Sequence, residues 1–413
     1  MNSSTCMRVS YFIVLLFIFC FSSYQLLAAI SLLPALNQID ELAQAKIKEK
    51  KTAGMQVAVL YHGAVIYNKS FGYMAYYNKG KLIKKKEVLG ENNIFDLASL
   101  TKVVATTQAI MMLNYEERLS LEDRVAKYIP EFAVNGKENI TIYNLLTHTS
   151  GLPAWEPLYL HNKNSKDVIL YISSLPLEYE TGSKSIYSDL GFIILGEVVA
   201  RITNMPLDVY TEKYIFSPLN MVDTMYNLPH NLTSRAVPTD WQNLYEQHLI
   251  NDHILYKGKA KATDFKDWRN VTLQGEVEDG NAYYAMQGVS GHAGIFSTMN
   301  DLLIWGKMIL GGGSYNGNLL YSKEVRDIYL TPQASGRAIG FDSNKSYMGN
   351  NRPAKTLGHT GFTGNCVALN IPKDIMIIIL SNKVNIPMVN FKYTSPKELC
   401  TDIMDTVWTT LIP

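Results

Sequence analysis

The sequence predicts an α+β fold in which one antiparallel sheet is built from both ends of the chain. Two observations support this prediction. Short runs of apolar and β-branched residues, joined by turn residues, lie near each end, whereas the long stretch between them is mostly helical in pattern. Strands that flank a helical middle can share one sheet if the two chain ends meet, and we expect helices to cover that sheet.

The first 30 residues predict a signal peptide or a signal anchor. Arg8 precedes an apolar block at residues 11–21. Cleavage after Ala29 and retention as an anchor both stay open, because the apolar stretch continues toward membrane-spanning length. The segment predicts export to the periplasm, or to the inner membrane with residues 31–413 on its outer side and residues 11–30 as the anchor.

Each end of the remaining chain predicts a β-hairpin. The first hairpin turns at His62–Gly63, a pair that suits a two-residue connection. Both hairpins are rich in β-branched residues, and a helix is predicted to close the chain. The predicted strands and the closing helix cover residues 55–61, 65–72, 366–371, 375–380 and 396–411.

No linker, low-complexity tract or internal repeat marks a domain boundary within residues 31–413. We therefore predict one catalytic domain made of two lobes. The sheet lobe spans about 31–95 and about 275–413, and a mostly helical lobe at about 96–274 is inserted between these segments.

Composition excludes some classes of function. The chain has 413 residues, of which 47% are hydrophobic and 18% charged, and its formal net charge is +1. It can bury a large core and has no basic excess that would bind nucleic acid. Its eight histidines show no metal-ligand spacing. We predict no nucleic-acid partner, no metal and no cofactor.

The segment Ser99–Lys102 is the feature that indicates catalysis. On a helix, residues three positions apart lie on one face, one turn apart. A buried lysine with a lowered pKa can accept the proton of a serine hydroxyl and so activate it as a nucleophile. An ordinary helix start with an exposed lysine has the same pattern, but the apolar residues at 103–104 and 110–112 indicate a buried helix, which we expect to begin at Asp96.

Two later motifs carry groups that could join this pair. Tyr187–Asp189 precedes an apolar helix predicted over 190–200; its phenol could relay protons, or the segment could simply be a helix cap. In Gly358–Gly364 the glycines either let a strand edge approach a ligand closely or mark a bulge at a sheet edge.

In this order, the motifs resemble those of the penicillin-recognising serine hydrolases, which include class C β-lactamases and S12-type D-alanyl-D-alanine carboxypeptidases. Members share Ser-x-x-Lys, Tyr-x-Asn or a variant, and Lys/His-Thr-Gly, which correspond to Ser99–Lys102, Tyr187–Asp189 and His359–Gly361. The segments 145–153 and 288–298 are also typical of the superfamily. The motifs look most similar to the penicillin-binding protein 4B-like branch, and the resemblance implies the β-lactamase/transpeptidase-like version of the predicted fold.

The resemblance implies a role for each residue of the first two motifs. Ser99 would attack a carbonyl and form an acyl-enzyme, with Lys102 keeping its hydroxyl activated. Tyr187 would carry a proton to the leaving group and later accept one from the deacylating water. Asp189 would support this hydrogen-bond network.

The third motif is expected to bind the substrate. His359, Thr360 and Gly361 would contact its carboxylate or amide. The backbone N–H groups of Ser99 and Phe362 would form an oxyanion hole, with Phe362 on the strand beside the nucleophile.

Two departures from the commonest family pattern affect the predicted function. Asp189 replaces the usual asparagine and, if ionised, favours the charged form of Lys102, which is the worse base. His359 replaces the lysine frequent in β-lactamases and favours a D-alanyl-D-alanine carboxypeptidase acting on peptidoglycan peptides. The alternatives are an esterase or β-lactamase-like hydrolase, and a penicillin-binding protein that acylates without turnover.

Several other reactive residues are expected to be structural. We place His148 at a helix C-terminus and His292 in the pocket wall, and Ser290 lacks the final glycine of a Gly-x-Ser-x-Gly elbow. Cys366 and Cys400 could pair in an oxidising compartment, but their spacing favours no bridge and we predict two free, buried thiols.

Overall fold

The structure, a computed structural model, describes residues 35–161, 164–333, 335–390 and 392–412. The predicted leader at residues 1–30 lies outside these ranges, so a signal peptide or anchor there stays a prediction. The boundaries proposed between the sheet lobe and the helical lobe also stay a prediction.

The central sheet contains strands from both ends of the described chain. The strands of the described chain, in the central sheet and in smaller sheets, are β1 (Gly54–Tyr61), β2 (Ala64–Gly72), β3 (Tyr77–Asn78), β4 (Lys81–Leu82), β5 (Phe95–Asp96), β6 (Met225–Tyr226), β7 (Ile295–Ser297), β8 (Ser314–Tyr315), β9 (Asn318–Leu319), β10 (Asp342–Ser343), β11 (Leu357–Thr360), β12 (Cys366–Asn370) and β13 (Ile375–Ser381). Six of them form one sheet in the order β10-β11-β12-β13-β1-β2. All neighbours are antiparallel, and Val57 of β1 lies opposite Ile379 of β13. The predicted α+β fold, with a sheet made by both ends, is confirmed.

The first hairpin turns where the sequence predicts it. His62 and Gly63 both have positive φ, at 48° and 74°. A two-residue turn of this kind matches the twist of the flanking strands, and glycine adopts it without steric strain. The second hairpin turns through a short 3-10 segment at Ile371–Lys373.

Helices cover both faces of this sheet and fill the middle of the chain. They are α1 (Gln38–Lys48), α2 (Thr107–Tyr115), α3 (Ile142–Leu146), α4 (Ser165–Ser174), α5 (Asp189–Thr203), α6 (Leu207–Thr211), α7 (Ser217–Leu219), α8 (Leu244–Asn251), α9 (Met299–Leu310), α10 (Lys323–Tyr329) and α11 (Pro396–Leu411). The last is the predicted closing helix. Its N-cap Ser395 and Glu398 form a reciprocal capping box, and Pro396 occupies the first turn, where proline is tolerated.

Side chains alternate between the two faces of the sheet. On one face, Val57 and Ile379 pack in a cluster with residues of α1 and α11, including the fully buried Trp408. On the other face, Ala58 and Ile378 belong to the larger core shared with the helical middle of the chain. The nucleophile segment lies on this second side, because Leu97 and Leu100 pack in the same core.

No single helix within the described ranges is long and apolar enough to span a membrane, although the bent pair Asp189–Thr203 and Leu207–Leu219 passes a test of length and composition alone.

A disulfide joins Cys366 of β12 to Cys400 of α11. The prediction of two free thiols was therefore wrong. The two Cα atoms lie 6.8 Å apart because α11 packs against the sheet face that carries the buried side chain of Cys366. The two cysteines are 34 positions apart in sequence, so only the tertiary fold reveals the pairing.

Candidate active site

Ser99 sits in a tight turn directly after a strand. Phe95–Asp96 pairs with β7, so the predicted helix start at Asp96 was wrong. The Asp96 carboxylate accepts hydrogen bonds from the backbone N–H groups of Ala98, at 2.8 Å, and Glu278, at 2.6 Å. Ala98 has a φ of +46°, a left-handed backbone conformation that is unfavourable for alanine. The hydrogen bond to Asp96 helps to maintain it. This bend presents Ser99, on one 3-10 turn, to the pocket.

Lys102 follows in a π-helical turn at Lys102–Thr106 and is fully buried. Its Nζ donates to the Ser99 Oγ at 3.0 Å and to the His292 carbonyl at 2.9 Å, and lies 2.7 Å from the Asp189 Oδ1. Burial lowers the pKa of Lys102 below its usual value; Asp189 opposes this effect without reversing it. The ammonium is thus easier to deprotonate than in water, even with the carboxylate beside it.

Tyr187 and Asp189 reach this pair from the start of α5. Ser188 caps α5 by accepting from the backbone N–H of Gly191 at 3.3 Å, so the capping role considered for this segment applies to Ser188. The Tyr187 ring lies 5.0 Å from the Lys102 Nζ. Burial and the Asp189 charge raise the pKa of the Tyr187 phenol well above its usual range, although a hydrogen bond with Ser99 opposes them. At neutral pH the phenol therefore keeps its proton.

His148 fixes the loop that carries Tyr187. Its ring lies 4.6 Å from the Tyr187 ring, and its Nδ1 accepts from the backbone N–H of Ser188 at 3.0 Å. His148 itself takes a left-handed φ of 56° two residues beyond α3. Burial lowers its pKa well below the usual value, so it is neutral and does not complement the helix dipole as a cation. The contact between His148 and the Tyr187 loop depends on the tertiary fold, and no local sequence pattern indicates it.

His359 and Thr360 end β11 and line the same pocket as Ser99. The His359 ring lies 6.0 Å from the Tyr187 ring, and its Nδ1 is 2.9 Å from the Thr360 carbonyl. Burial lowers the pKa of His359 to about 4. At neutral pH this imidazole carries no positive charge. Because its Nδ1–H donates to the Thr360 carbonyl, its Nε2, which has no partner within the described ranges, can only accept a hydrogen bond.

Gly361 lets the end of β11 approach the nucleophile segment. A Cβ at this position would lie 2.4 Å from the carbonyl oxygen of Leu97, so no other residue fits there without a shift. Phe362 follows in a turn closed by the Gly361 N–H donating to the Asn365 carbonyl at 2.8 Å. Its expected place on the strand was therefore wrong. Thr363 and Asn365 bind the Asp96 carbonyl at 2.8 and 2.9 Å and so hold this turn against the Ser99 segment.

Positive charge in the pocket comes from residues that the motifs do not include. Arg337 is buried, and its Nη2 lies 2.7 Å from the Asp342 Oδ1. Three lysines also line this pocket of about 580 Å³, and within the described ranges none has a carboxylate within 4.0 Å. They are Lys345, Lys383 and Lys392. Nothing in their local sequence distinguishes these cations from ordinary surface residues; only the fold brings them to the pocket.

His292 lies behind Lys102 and is not among the residues that line the catalytic pocket. The expected place in the pocket wall was wrong. Its Nε2 is 3.0 Å from the Asp279 Oδ1, and its Nδ1 is 2.7 Å from the Ser290 Oγ. Ser290, His292 and Asp279 thus form a chain of polar groups. Ser290 is only 1% exposed, whereas Ser99 opens onto the catalytic pocket.

Comparisons with known proteins agree with this geometry. The sequence matches the Beta-lactamase family over residues 39–394. It is 32% identical over 378 residues to a Bacillus subtilis (strain 168) protein named N-acetylmuramyl-L-alanine amidase, covering 86% of this chain and 82% of that protein. It is 30% identical over 376 residues to an Escherichia coli (strain K12) protein whose name marks D-alanyl-D-alanine carboxypeptidase activity as provisional, covering 86% and 84%.

A solved structure shows the same fold. The crystal structure of a penicillin-binding protein homologue from Caulobacter crescentus superposes with a TM-score of 0.68 at 20% sequence identity, and the match covers 91% of this chain and 97% of the homologue. With a family match over most of the chain and a serine beside a buried lysine in the pocket, the protein belongs to the β-lactamase family and is one of its serine hydrolases.

Proposed function

We propose that the protein is a D-alanyl-D-alanine carboxypeptidase that acts on peptidoglycan peptides through an acyl-enzyme on Ser99. The observation that carries this proposal is the 3.0 Å hydrogen bond from a buried lysine with a lowered pKa to a serine hydroxyl in the pocket. Similarity to the Escherichia coli protein supports the D-alanyl-D-alanine bond as the one that is cleaved.

The acylation step needs a neutral Lys102 and a protonated Tyr187. Ser99 Oγ attacks the carbonyl carbon of the penultimate D-alanine while its proton passes to neutral Lys102. The C–N bond to the terminal D-alanine then breaks, and Tyr187, whose raised pKa keeps it protonated, donates its proton to the departing amine. The proton taken up by Lys102 replaces the one that Tyr187 gives.

Deacylation reverses the proton path. A water molecule attacks the ester carbonyl, its proton moves to the Lys102–Tyr187 pair, and the bond to Ser99 Oγ breaks as the serine regains its hydrogen. The backbone N–H groups of Ser99 and Phe362 would hold the developing oxyanion, since both residues line the pocket and the Phe362 turn is tied to the Ser99 segment.

The charge of the pocket supports a substrate that ends in a carboxylate. His359 is neutral, and Arg337 is paired with Asp342, which lines the same pocket, so the three pocket lysines supply the net positive charge. A free C-terminal D-alanine carries the complementary charge. At the end of β11, the Thr360 hydroxyl would donate a hydrogen bond to this carboxylate and the His359 Nε2 would accept one from a substrate amide N–H, with Gly361 keeping this edge close to Ser99.

We also propose that the catalytic domain is exported, to the periplasm or to the outer side of the inner membrane. The Cys366–Cys400 disulfide supports an oxidising compartment, because such bonds rarely persist in a reducing cytosol.

Similarity to the Bacillus subtilis protein favours a second candidate function, hydrolysis of the amide bond between N-acetylmuramic acid and L-alanine. The same residues would act, but the acyl group would be the lactyl group of the sugar and the leaving group would be the peptide. The peptide is rich in carboxylates and also suits a cationic pocket.

One substrate separates these functions. N-acetylmuramyl pentapeptide is incubated with the protein and with the Ser99→Ala variant, and the products are separated by mass. Release of D-alanine that depends on Ser99 would support the carboxypeptidase. Release of free N-acetylmuramic acid would support the amidase function instead. If neither product appears, short-chain esters are tested as a second substrate, and their turnover would support an esterase.

A further inference from the structure

The β3–β4 hairpin and the residues that follow it, 77–88, form a basic surface that the reaction described above does not use. Residues 78–86 contain five lysines and no acidic residue, although the whole chain has a formal net charge of only +1. Four of these lysines are exposed and the fifth is half-buried. They are Lys79, Lys81, Lys84, Lys85 and Lys86. The segment is therefore a local concentration of positive charge on an almost neutral molecule.

The molecule does not neutralise this charge itself. In the part of the chain that the structure describes, none of the five ammonium groups has a carboxylate within 4.0 Å. Lys69 and Lys127, by contrast, have carboxylate oxygens at 2.7 and 2.9 Å. The Nζ of Lys86 lies 5.6 and 5.3 Å from the ring centroids of Tyr73 and Tyr76. Like charges held close together repel one another, and contact with an anionic surface would relieve this repulsion.

The hairpin holds these lysines on an ordered backbone. Lys79 and Gly80 form its two-residue turn, with φ values of 48° and 69°. The Lys79 backbone N–H donates to the Thr272 Oγ1 at 2.7 Å, and the Tyr77 backbone N–H donates to the Asn385 Oδ1 at 2.9 Å. Two other segments of the chain thus fix the hairpin in place. A partner could bind the lysines without first ordering the backbone that carries them.

Exposed apolar side chains lie beside the lysines. Leu82 is opposite Tyr77 across the hairpin and is 58% exposed, and Val88 is also exposed. Val271 and Val389 are exposed on the two segments that contact the hairpin backbone. Lysines mixed with exposed apolar side chains are typical of surfaces that lie in the interface of an anionic membrane.

This mixture favours a lipid bilayer over an anionic polymer as the partner. A polymer of phosphates would pair with the lysines but leave the apolar side chains in water. At a bilayer, apolar side chains enter the boundary between head groups and acyl chains. The lysine stems can lie along this boundary while their ammonium groups reach the lipid phosphates. A bilayer therefore satisfies both kinds of side chain.

We propose that the basic surface at residues 77–88 docks on a membrane that contains anionic phospholipid, with Leu82 entering the interface. The contact uses none of the residues that line the catalytic pocket, so it does not depend on which bond the enzyme cleaves. It also does not require the predicted leader at residues 1–30.

The first test measures whether residue 82 enters a bilayer. The purified Leu82→Trp variant is mixed with vesicles of equal amounts of phosphatidylcholine and phosphatidylglycerol, whose brominated acyl chains quench indole fluorescence. The matched control is Leu319→Trp, because Leu319 is 56% exposed on the separate β8–β9 hairpin. Signals are corrected for the five native tryptophans. We expect quenching in Leu82→Trp alone, and less of it as salt is added. Both variants carry the same leader, so its insertion affects them equally.

The second test reverses charges in the Leu82→Trp background. Adding Lys81→Glu, Lys84→Glu and Lys85→Glu should raise the lipid concentration for half-maximal quenching by about 100-fold or more, because each lysine near an anionic surface contributes about fivefold in affinity. The control reverses three exposed lysines from scattered positions and should have a much smaller effect. These lysines are Lys166, Lys213 and Lys373. A cooperative thermal transition reports that each variant is folded.

Several results would overturn the proposal. These are equal quenching in the two tryptophan variants, equal quenching by vesicles of phosphatidylcholine alone, and equal losses in the two charge-reversed variants. A fourth would be binding of poly(glycerol phosphate) that depends on the hairpin lysines, without quenching at residue 82. That result would identify an anionic polymer, and not a membrane, as the partner of this surface.

Discussion

The two faces of the central sheet bury different kinds of groups. The face covered by α1 and α11 is packed with apolar side chains such as Val57, Ile379 and Trp408. On the other side, the nucleophile segment buries the Lys102 side chain against the Asp189 carboxylate. Apolar packing stabilises a fold at little electrostatic cost, whereas a buried ion pair is retained even though an apolar replacement could be as stable. Stability and catalysis therefore depend on different layers of one molecule, and variants can separate them.

The largest effect is expected for the nucleophile. Ser99→Ala should lower turnover by about 10⁴-fold, because the acyl-enzyme can no longer form. The control is Ser290→Ala, which removes the serine hydroxyl of the buried Ser290–His292–Asp279 chain. Steady-state assays should show that Ser290→Ala keeps activity within a small factor. Comparable losses in both variants would show that this buried chain takes part in the reaction.

Lys102→Met should lower the acylation rate by about 10³-fold, because the base is lost while the side chain keeps its length. The melting temperature should fall, because the Asp189 carboxylate loses its partner 2.7 Å away, and the double variant Lys102→Met/Asp189→Asn should recover part of this loss. Stopped-flow acylation and thermal melting of one preparation test both statements. A double variant that is no more stable than Lys102→Met would show that an unpaired Asp189 does not cause the loss of stability.

The opposite pattern is expected on the apolar face. Ile379→Ala, in the middle of β13, should reduce the free energy of unfolding by about 2–5 kcal/mol through lost packing and a cavity. Leu82→Ala is the control, because Leu82 is 58% exposed and its loss should change stability little. Urea denaturation measures both. Folded Ile379→Ala protein should still acylate at the unaltered rate; a lowered rate at full folding would show that the faces are coupled.

Removing the disulfide should act on the same face. The double variant Cys366→Ala/Cys400→Ala should lose about 2–4 kcal/mol of stability, because the unfolded chain is no longer closed across the 34-residue separation. Activity at low temperature should persist, since neither cysteine lines the catalytic pocket. Unchanged denaturant midpoints with and without a reducing agent would argue against a disulfide in the native protein.

The smallest effect is expected for Asp189→Asn, which tests the ion pair between Asp189 and Lys102. Asp189 raises the pKa of Lys102, so Asp189→Asn should lower that pKa further. Acylation needs the neutral amine, and its rate rises with pH through the Lys102 pKa. The rising limb of the pH–rate profile should therefore move to lower pH in the variant, measured by fluorophosphonate labelling. A shift to higher pH would mean that Asp189 does not face the ammonium.

Local sequence patterns predicted the apolar layer better than the charged one. The two hairpins and the closing helix depend on runs of apolar and β-branched residues, on turn residues and on a capping box, which are local signals. The disulfide could not be predicted in this way, because its cysteines are 34 positions apart in sequence. Arg337 could not be predicted either, because only the fold brings it to the catalytic pocket. Phe362 was misplaced because the close approach of Gly361 to Leu97 ends the strand early, and this approach exists only in the folded chain.

In the active site too, local patterns identified the motif residues but not the contacts that hold them in place. Ser99 and Lys102 could be paired from their spacing alone, and they are hydrogen bonded although the segment is a 3-10 turn followed by a π turn. Family resemblance supplied Tyr187 and His359. The His148 contact that holds the Tyr187 loop and the His292 carbonyl that binds Lys102 come from the tertiary fold, and no motif encodes them.

The most direct test of the central claim is to trap the acyl-enzyme. The protein is mixed with N-acetylmuramyl pentapeptide, quenched in acid during turnover, digested and mapped by mass spectrometry. The account predicts an adduct on Ser99 whose mass equals the substrate minus its terminal D-alanine. An adduct on Ser99 with the mass of the N-acetylmuramyl group would confirm Ser99 as the nucleophile but show that the bond between N-acetylmuramic acid and L-alanine is cleaved. An adduct on any other residue, or steady turnover in the Ser99→Ala variant, would contradict the account.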